Sequence, residues 1–114
     1  MQLGFIGLGT MGRPMALHLI GAGHTLAVFA RREEARQPLV EAGAVACATP
    51  ATVADQSDIT FTMVTGTADV EQVVLGDDGL IHGARAGTLV IDMSTIDPSA
   101  TRDISHTLAE SGVD

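Results

Sequence analysis

A glycine-rich tract near the start of the chain is the first place where residue types and spacing indicate chemistry. Its pattern, G-x-G-x-x-G, is formed by six consecutive residues, Gly7, Leu8, Gly9, Thr10, Met11 and Gly12. Gly7 suits a tight turn out of a strand, Gly9 a close approach of the backbone to a pyrophosphate, and Gly12 close packing of the following helix. The free N–H groups and positive dipole end of that helix favour phosphates. The tract therefore predicts a dinucleotide-binding turn, with a turn that binds no ligand as the alternative.

Two arginines, Arg31 and Arg32, stand where a second strand should end, about twenty residues past the glycines. In dinucleotide folds an acidic residue at this place binds the ribose hydroxyls of NAD, whereas an arginine accommodates the 2′-phosphate of NADP. Two arginines just before a helix are poorly matched to its positive end, so helix stability does not explain them. They favour NADP(H) as the cofactor, with NAD(H) less favoured and with solvated surface arginines as the alternative.

Strand-like and helix-like segments alternate along the chain and position these tracts. Strands are predicted over 2–6, 25–30, 44–48, 58–64 and 88–92, with a helix after each of them. The first helix would carry Met11, Met15, Leu19 and Ala22 on one apolar face, and Asp97 and Pro98 would begin the last helix. The alternation predicts an α/β fold with a Rossmann-like, doubly wound parallel sheet in one dinucleotide-binding domain, residues 1–114. The sheet is expected to be truncated at its sixth strand, which would begin at 113–114.

Ligands of an open parallel sheet lie at the carboxyl ends of its strands, and two polar tracts fall there. Val64 and Thr65 end the fourth predicted strand, and the run Asp92-Met93-Ser94-Thr95 ends the fifth. The second run could therefore face a ligand. The alternative is a strand-end turn whose hydroxyls bond the backbone.

Two tracts in this order carry a family resemblance. The first, over 4–16, reads GFIGLGTMGRPMA, and the second, over 92–98, reads DMSTIDP. Together they resemble the N-terminal domain of the β-hydroxyacid dehydrogenases, a family that includes 3-hydroxyisobutyrate dehydrogenases and tartronate semialdehyde (2-hydroxy-3-oxopropionate) reductases. The resemblance extends along the whole chain. It implies the NADP-binding domain of an oxidoreductase that interconverts a small 3-hydroxy acid and its semialdehyde by hydride transfer.

The resemblance also implies where the ligands would lie. The glycine tract would hold the pyrophosphate, and Arg31 falls where relatives that use NADP carry an arginine. Ser94 and Thr95 match the D-x-S-T motif of the family, so both would bind the substrate carboxylate and Thr95 would also lie against the cofactor.

Two positions depart from the family pattern on the adenosine side. Val64 and Thr65 stand where the family commonly has Leu-Pro. Asp69 stands where some relatives have an asparagine that contacts the cofactor. All three remain candidate cofactor contacts.

No catalytic residue is expected in this chain. Relatives take their proton donor, a lysine, from a second, helical domain, and this chain contains neither lysine nor tyrosine. The histidines, His18, His24, His82 and His106, fall in predicted helices and turns. We therefore expect that a C-terminal helical domain is absent from this chain, that the chain alone is inactive, and that the parent enzyme is a homo-oligomer. The alternatives are the cofactor domain of an imine reductase and a regulatory NADP-binding module without catalysis.

Composition limits the other partners. The chain has 114 residues, with 6 basic against 14 acidic side chains, which argues against binding nucleic acid or an anionic membrane. Yet Arg13, Arg31, Arg32 and Arg36 all fall in its first third. Cys47 is the only cysteine, and neither a signal peptide nor a membrane span is indicated, so a cytoplasmic, soluble protein is expected. The tract 76–79 is expected to be a polar turn, and no metal site is predicted.

Overall fold

A single parallel sheet organises the chain. The computed structural model describes residues 2–7, 12–30, 33–64, 67–92, 98–110 and 112–113. Five strands within these ranges lie side by side in the order β3-β2-β1-β4-β5, and all four neighbouring pairs are parallel. The strands are β1 (Gln2–Ile6), β2 (Thr25–Phe29), β3 (Val45–Ala46), β4 (Ile59–Thr62) and β5 (Leu89–Asp92). The predicted α/β class with a parallel sheet is confirmed.

Helices connect successive strands, as parallel pairing requires. They are α1 (Gly12–Gly21), α2 (Glu33–Glu41), α3 (Pro50–Asp55), α4 (Thr67–Leu75) and α5 (Pro98–Glu110). Thr49 caps α3, because its hydroxyl accepts a hydrogen bond from the Thr52 N–H at 3.2 Å and Pro50 opens the helix. A short 3-10 helix, Leu80–His82, follows the predicted turn at 76–79.

The two faces of the sheet are both covered, which makes the fold doubly wound. Successive side chains of a strand point to opposite faces, so Phe5 packs on one side of β1 and Ile6 on the other. The first face is covered by α1 and α2 with Ala16 and Leu39, and the second by the later helices, with residues that include Val53 of α3, Val70 of α4 and Ile104 of α5. The rings of Phe5 and Phe61 stack between β1 and β4, with centroids 6.0 Å apart.

Close packing of β1 on α3 depends on Gly4. A Cβ atom at Gly4 would lie 2.5 Å from the Ser57 hydroxyl oxygen and 2.6 Å from Val53 Cγ1. Ser57 is fully buried, and its hydroxyl donates to the Val53 carbonyl at 2.6 Å. Any larger residue at position 4 would push α3 away from the sheet.

The elements differ from the prediction mainly at their ends. β3 has two residues instead of five, so Cys47 lies just beyond the strand, although its N–H still donates to the Val28 carbonyl at 2.8 Å. Ala22 is exposed, since α1 ends at Gly21, whereas Ala16 of α1 is fully buried. α5 begins at Pro98 as predicted. Asp97 and Asp114 lie outside the described residues, so the predicted cap and the sixth strand stay predictions.

Among the residues that the structure describes, no helix is both long enough and apolar enough to cross a membrane.

Candidate dinucleotide site

The order of the strands locates the candidate site. From β1 the chain moves outward to β2 and β3, and it then returns to the other side of β1 to form β4 and β5. The direction of the connections therefore reverses between β1 and β4. Open α/β sheets bind ligands at such a reversal, outside the carboxyl ends of the strands. The described residues at this place are Gly7, which follows β1, and Met63 and Val64, which follow β4.

Gly7, directly after β1, has a backbone conformation and surroundings that favour glycine. Its φ angle is +96°, in the left-handed region that favours glycine. Its N–H donates to the Phe29 carbonyl of β2 at 3.0 Å, and the Met63 N–H donates to the Ile6 carbonyl at 2.9 Å. A Cβ atom here would overlap the Met63 carbonyl oxygen and lie 2.7 Å from Val64 Cγ1. The backbone of Gly7 thus lies between the ends of β2 and β4 in a conformation that favours glycine, and the tight turn predicted beyond it stays a prediction.

The helix that follows Gly7 differs from α4 in the charge of its first turn. α1 begins at Gly12, five residues after Gly7, and its first turn contains no acidic side chain. By contrast, the first turn of α4 contains Asp69, whose negative charge already interacts favourably with the positive end of that helix. An anion at the carboxyl edge would therefore meet a more favourable helix end at α1 than at α4.

Most predicted site residues lie outside the described residues. These are Leu8, Gly9, Thr10, Met11, Arg31, Arg32, Thr65, Ser94 and Thr95, and their roles stay predictions. Of the others, Val64 is half-buried beside Gly7 and packs against the core under α3, α4 and α5. Asp69 is half-buried in the first turn of α4. The structure thus brings Gly7 and Val64 together, and Gly12 begins the adjoining helix.

A polar pair that the sequence did not indicate lies at the same edge of the sheet. The hydroxyl of Thr62 donates to the carboxylate oxygen Oδ1 of Asp92 at 2.9 Å. Thr62 is fully buried, and Asp92 is half-buried at the last position of β5. The only sequence signal was the alternation of threonines in β4, which is equally typical of a strand without any such pair.

The histidines and the cysteine lie away from the carboxyl ends of β1 and β4. His18 lies on α1, His82 in the 3-10 helix and His106 on α5, while His24 precedes β2, so none follows the carboxyl end of a strand. Burial raises the pKa of the Cys47 thiol, which keeps it protonated and poorly nucleophilic. Over the described ranges, no three His, Cys, Asp or Glu side chains are grouped so that they could hold a metal ion.

The comparison with known families agrees with this geometry. Residues 2–114 match the family described as the NAD binding domain of 6-phosphogluconate dehydrogenase. The match covers nearly the whole chain. The chain belongs to this family of dinucleotide-binding domains.

Curated relatives fall in the class that the sequence resemblance predicts. The chain is 41% identical over 113 residues to 2-(hydroxymethyl)glutarate dehydrogenase of Eubacterium barkeri, covering 99% of this chain and 38% of that protein. It is 42% identical over 114 residues to 2-hydroxy-3-oxopropionate reductase of Escherichia coli K12, covering all of this chain and 39% of that enzyme. The chain thus spans less than two fifths of each relative, at a level of identity that confirms the resemblance to hydroxyacid dehydrogenases and reductases.

Solved structures share the fold. A 3-hydroxyisobutyrate dehydrogenase from Salmonella typhimurium has a TM-score of 0.92 and 28% identity, covering 99% of this chain and 39% of that one. Psf3, solved in complex with NADP+, has a TM-score of 0.91 and 28% identity, covering 98% and 40%. An imine reductase from Myxococcus stipitatus, also in complex with NADP+, has a TM-score of 0.90 over 100% of this chain and 39% of its own, but at 24% identity it shows a likeness of fold alone.

Proposed function

We propose that this chain is the NADP(H)-binding domain of an oxidoreductase that interconverts a small 3-hydroxy acid and its semialdehyde by hydride transfer. The observation that carries the proposal is the backbone at Gly7. Its φ angle is positive, and an added Cβ would overlap the Met63 carbonyl oxygen, so there is no room for a side chain at the reversal between β1 and β4. When bound, the cofactor would supply the hydride, and the residues of this chain would bind and orient it.

The pyrophosphate is assigned to the segment between Gly7 and the start of α1. Free N–H groups of the first turn of α1 and the glycine backbone would donate hydrogen bonds to it. The lack of an acidic residue in that turn supports this assignment, because an acid there would compete with the phosphates for the same dipole.

The adenosine half is assigned to the end of β2. β2 pairs with β1 along its whole length, and its exit at Ala30 is directly followed in sequence by Arg31 and Arg32. Two guanidinium groups there would form charge-assisted hydrogen bonds with a 2′-phosphate. This favours NADP(H) over NAD(H) in a chain whose net charge, with these arginines counted, is −8. The bound NADP+ in Psf3 agrees with this preference.

The substrate is assigned to the residues that follow β5. Ser94 and Thr95 come directly after Asp92 and Met93, and their hydroxyls would bind the carboxylate of the substrate. Neither hydroxyl is a good acid near neutral pH, so a second domain would have to protonate the alkoxide and exclude water. The 38% share of the E. barkeri dehydrogenase that this chain spans leaves room for such a domain in a parent enzyme.

A titration of the chain with NADPH tests the binding function. NADPH should bind in a saturable manner, and Gly9→Val should abolish binding because the added side chain would occupy the space of the pyrophosphate. Gly21→Val is a matched control, since Gly21 ends α1 at an exposed position with no atom within 4 Å of an added Cβ. The control should bind NADPH like the unchanged chain, and circular dichroism should report the same fold for both variants. Normal binding by Gly9→Val would contradict the assignment of the glycine tract.

An imine reductase is the second candidate that the sequence leaves open, and the M. stipitatus enzyme supports it by its fold alone. The run Asp92-Met93-Ser94-Thr95 favours the hydroxyacid branch. The whole enzyme should therefore reduce small semialdehyde acids with NADPH, and reduction of cyclic imines but not of semialdehydes would support the second candidate.

A further inference from the structure

The Thr62–Asp92 pair joins the last residues of two neighbouring strands. Thr62 and Asp92 are register partners in the parallel β4–β5 ladder, so their side chains lie on the same face of the sheet. The Thr62 hydroxyl is fully buried and donates to Asp92 Oδ1 at 2.9 Å. A hydrogen bond from a buried donor to a carboxylate is one of the stronger kinds in proteins. A side-chain hydrogen bond therefore links the carboxyl end of β5 to that of β4.

A second threonine in the same strand provides the contrast. Thr60 lies two residues earlier on the same face, is also buried, and has Val90 as its register partner. Thr60 therefore faces an apolar side chain across the strands, and Thr62 faces a carboxylate. Strand propensity and packing alone would be served equally well by valine at both positions. The carboxylate bond is thus a specific property of position 62.

At the amino ends of the same strands, the side-chain contact is of a different kind. There Asp58, just before β4, lies 3.9 Å from Arg85, and both side chains are more than half exposed. Exposed ion pairs of this kind contribute little to stability. The buried hydrogen bond of Thr62 thus lies at the carboxyl ends of the strands, where the candidate site is.

We propose that Thr62 is a positioning residue: it holds the Asp92 carboxylate and thereby fixes the direction in which the chain leaves β5 towards Ser94 and Thr95. This inference rests on the proposed function, which assigns Ser94 and Thr95 to the substrate. Because hydride passes between the nicotinamide and the substrate, these two residues would lie at the nicotinamide end of the cofactor. Thr62 itself touches neither ligand. Its loss should therefore affect the nicotinamide half of NADPH and spare the adenosine half, which is assigned to β2 at the other side of β1.

The test compares Thr62→Val with Thr60→Val in the whole 114-residue chain. Both variants replace a buried hydroxyl by a methyl group, but only the first removes the bond to Asp92. Two ligands are titrated: NADPH, and 2′,5′-ADP, which lacks the nicotinamide half. Thr62→Val should weaken NADPH on the order of tenfold and leave 2′,5′-ADP within about twofold. Thr60→Val should change neither affinity, and Thr62→Ser, which keeps the hydroxyl, should restore that of NADPH.

Two results would overturn the proposal. An equal loss for both ligands would mean that Thr62 only supports the fold, and unchanged NADPH affinity would mean that it has no part in binding. If Thr62→Val does not fold, Asp92→Ala removes the same bond from the other side and is compared with the unchanged chain in the same way.

A readout without ligand separates this inference from the proposed function. Amide hydrogen exchange at Ser94 and Thr95 should be faster in Thr62→Val than in Thr60→Val. If the unchanged chain binds no NADPH, the proposed function fails, and equal exchange in the two variants would independently overturn the role of Thr62.

Discussion

Replacement of Gly7 by alanine should destabilise the domain strongly, although it adds a single methyl group. Two costs combine at this position. A φ angle of +96° is unfavourable for any residue with a Cβ atom, at about 1 to 3 kcal/mol. The Cβ atom would also overlap the Met63 carbonyl oxygen and crowd Val64, and overpacking of this kind costs about 1 to 3 kcal/mol. The sum, about 2 to 6 kcal/mol, is a large part of the 5 to 15 kcal/mol that typically holds a domain together.

The carbonyl cannot easily move out of the way. Met63 is held to β1 by its own N–H, which donates to the Ile6 carbonyl at 2.9 Å. A shift of Met63 would therefore disturb the β1–β4 ladder at the edge where the cofactor is assigned. Gly7→Ala should lower both stability and NADPH affinity.

Gly43→Ala is the matched control for the backbone cost. Gly43 has a φ angle of +109°, and no atom lies within 4 Å of an added Cβ. Its replacement should therefore cost only the conformational term of about 1 to 3 kcal/mol. Urea denaturation of the ligand-free chain, followed by circular dichroism, measures both free energies of unfolding. If Gly7→Ala is no more destabilising than Gly43→Ala, the Met63 carbonyl and Val64 do not crowd a side chain at position 7.

Three further outcomes follow from the sequence and the site. NADPH should bind at least ~10-fold more tightly than NADH, about 1.4 kcal/mol, and the double replacement of Arg31 and Arg32 by alanine should erase this preference; equal affinities in the unchanged chain would contradict it. Because burial raises the pKa of the Cys47 thiol, the folded state keeps the proton to higher pH than the unfolded state, so the free energy of unfolding should fall as the pH rises above the ordinary thiol pKa. The folded thiol should also react slowly with an aromatic disulfide reagent, and rapid reaction without unfolding would be inconsistent with its burial. The chain alone should not oxidise NADPH at an enzymatic rate with small semialdehydes, since a general acid typically contributes about 100 to 10,000-fold; turnover that is lost in Ser94→Ala would show that the catalytic group lies in this chain.

The sequence predicts the fold well where local signals are strong. β1 has the predicted bounds, because its apolar run is directly followed by Gly7, whose positive φ angle does not continue a strand. The predicted boundaries of β2, β3 and β4 are less accurate. A strand ends where its hydrogen bonds to the neighbouring strand end, and the tertiary structure decides which strand that neighbour is. β3 is short because it is the edge strand, paired with β2 only at Val45 and Ala46.

Features that depend on long-range contacts could not be predicted. The bond between Thr62 and Asp92 joins residues 30 positions apart, and the strand pattern of β4 does not distinguish Thr62 from Thr60. The 3-10 helix at Leu80 is too short for a periodic signal, although Leu80 itself is fully buried. The helical period placed Ala22 on the apolar face of α1, but the helix ends one residue earlier and Ala22 is exposed.

The most direct test of the central claim is an NMR titration of the isotope-labelled chain with NADPH. Saturable shifts are expected for the backbone amides of Gly7, Gly12 and Val64, at the carboxyl ends of the strands. The amides of Gln2 and Asp58, at the opposite edge, should not shift. Absence of any saturable shift, or shifts confined to Gln2 and Asp58, would contradict the assignment of the cofactor to the reversal between β1 and β4.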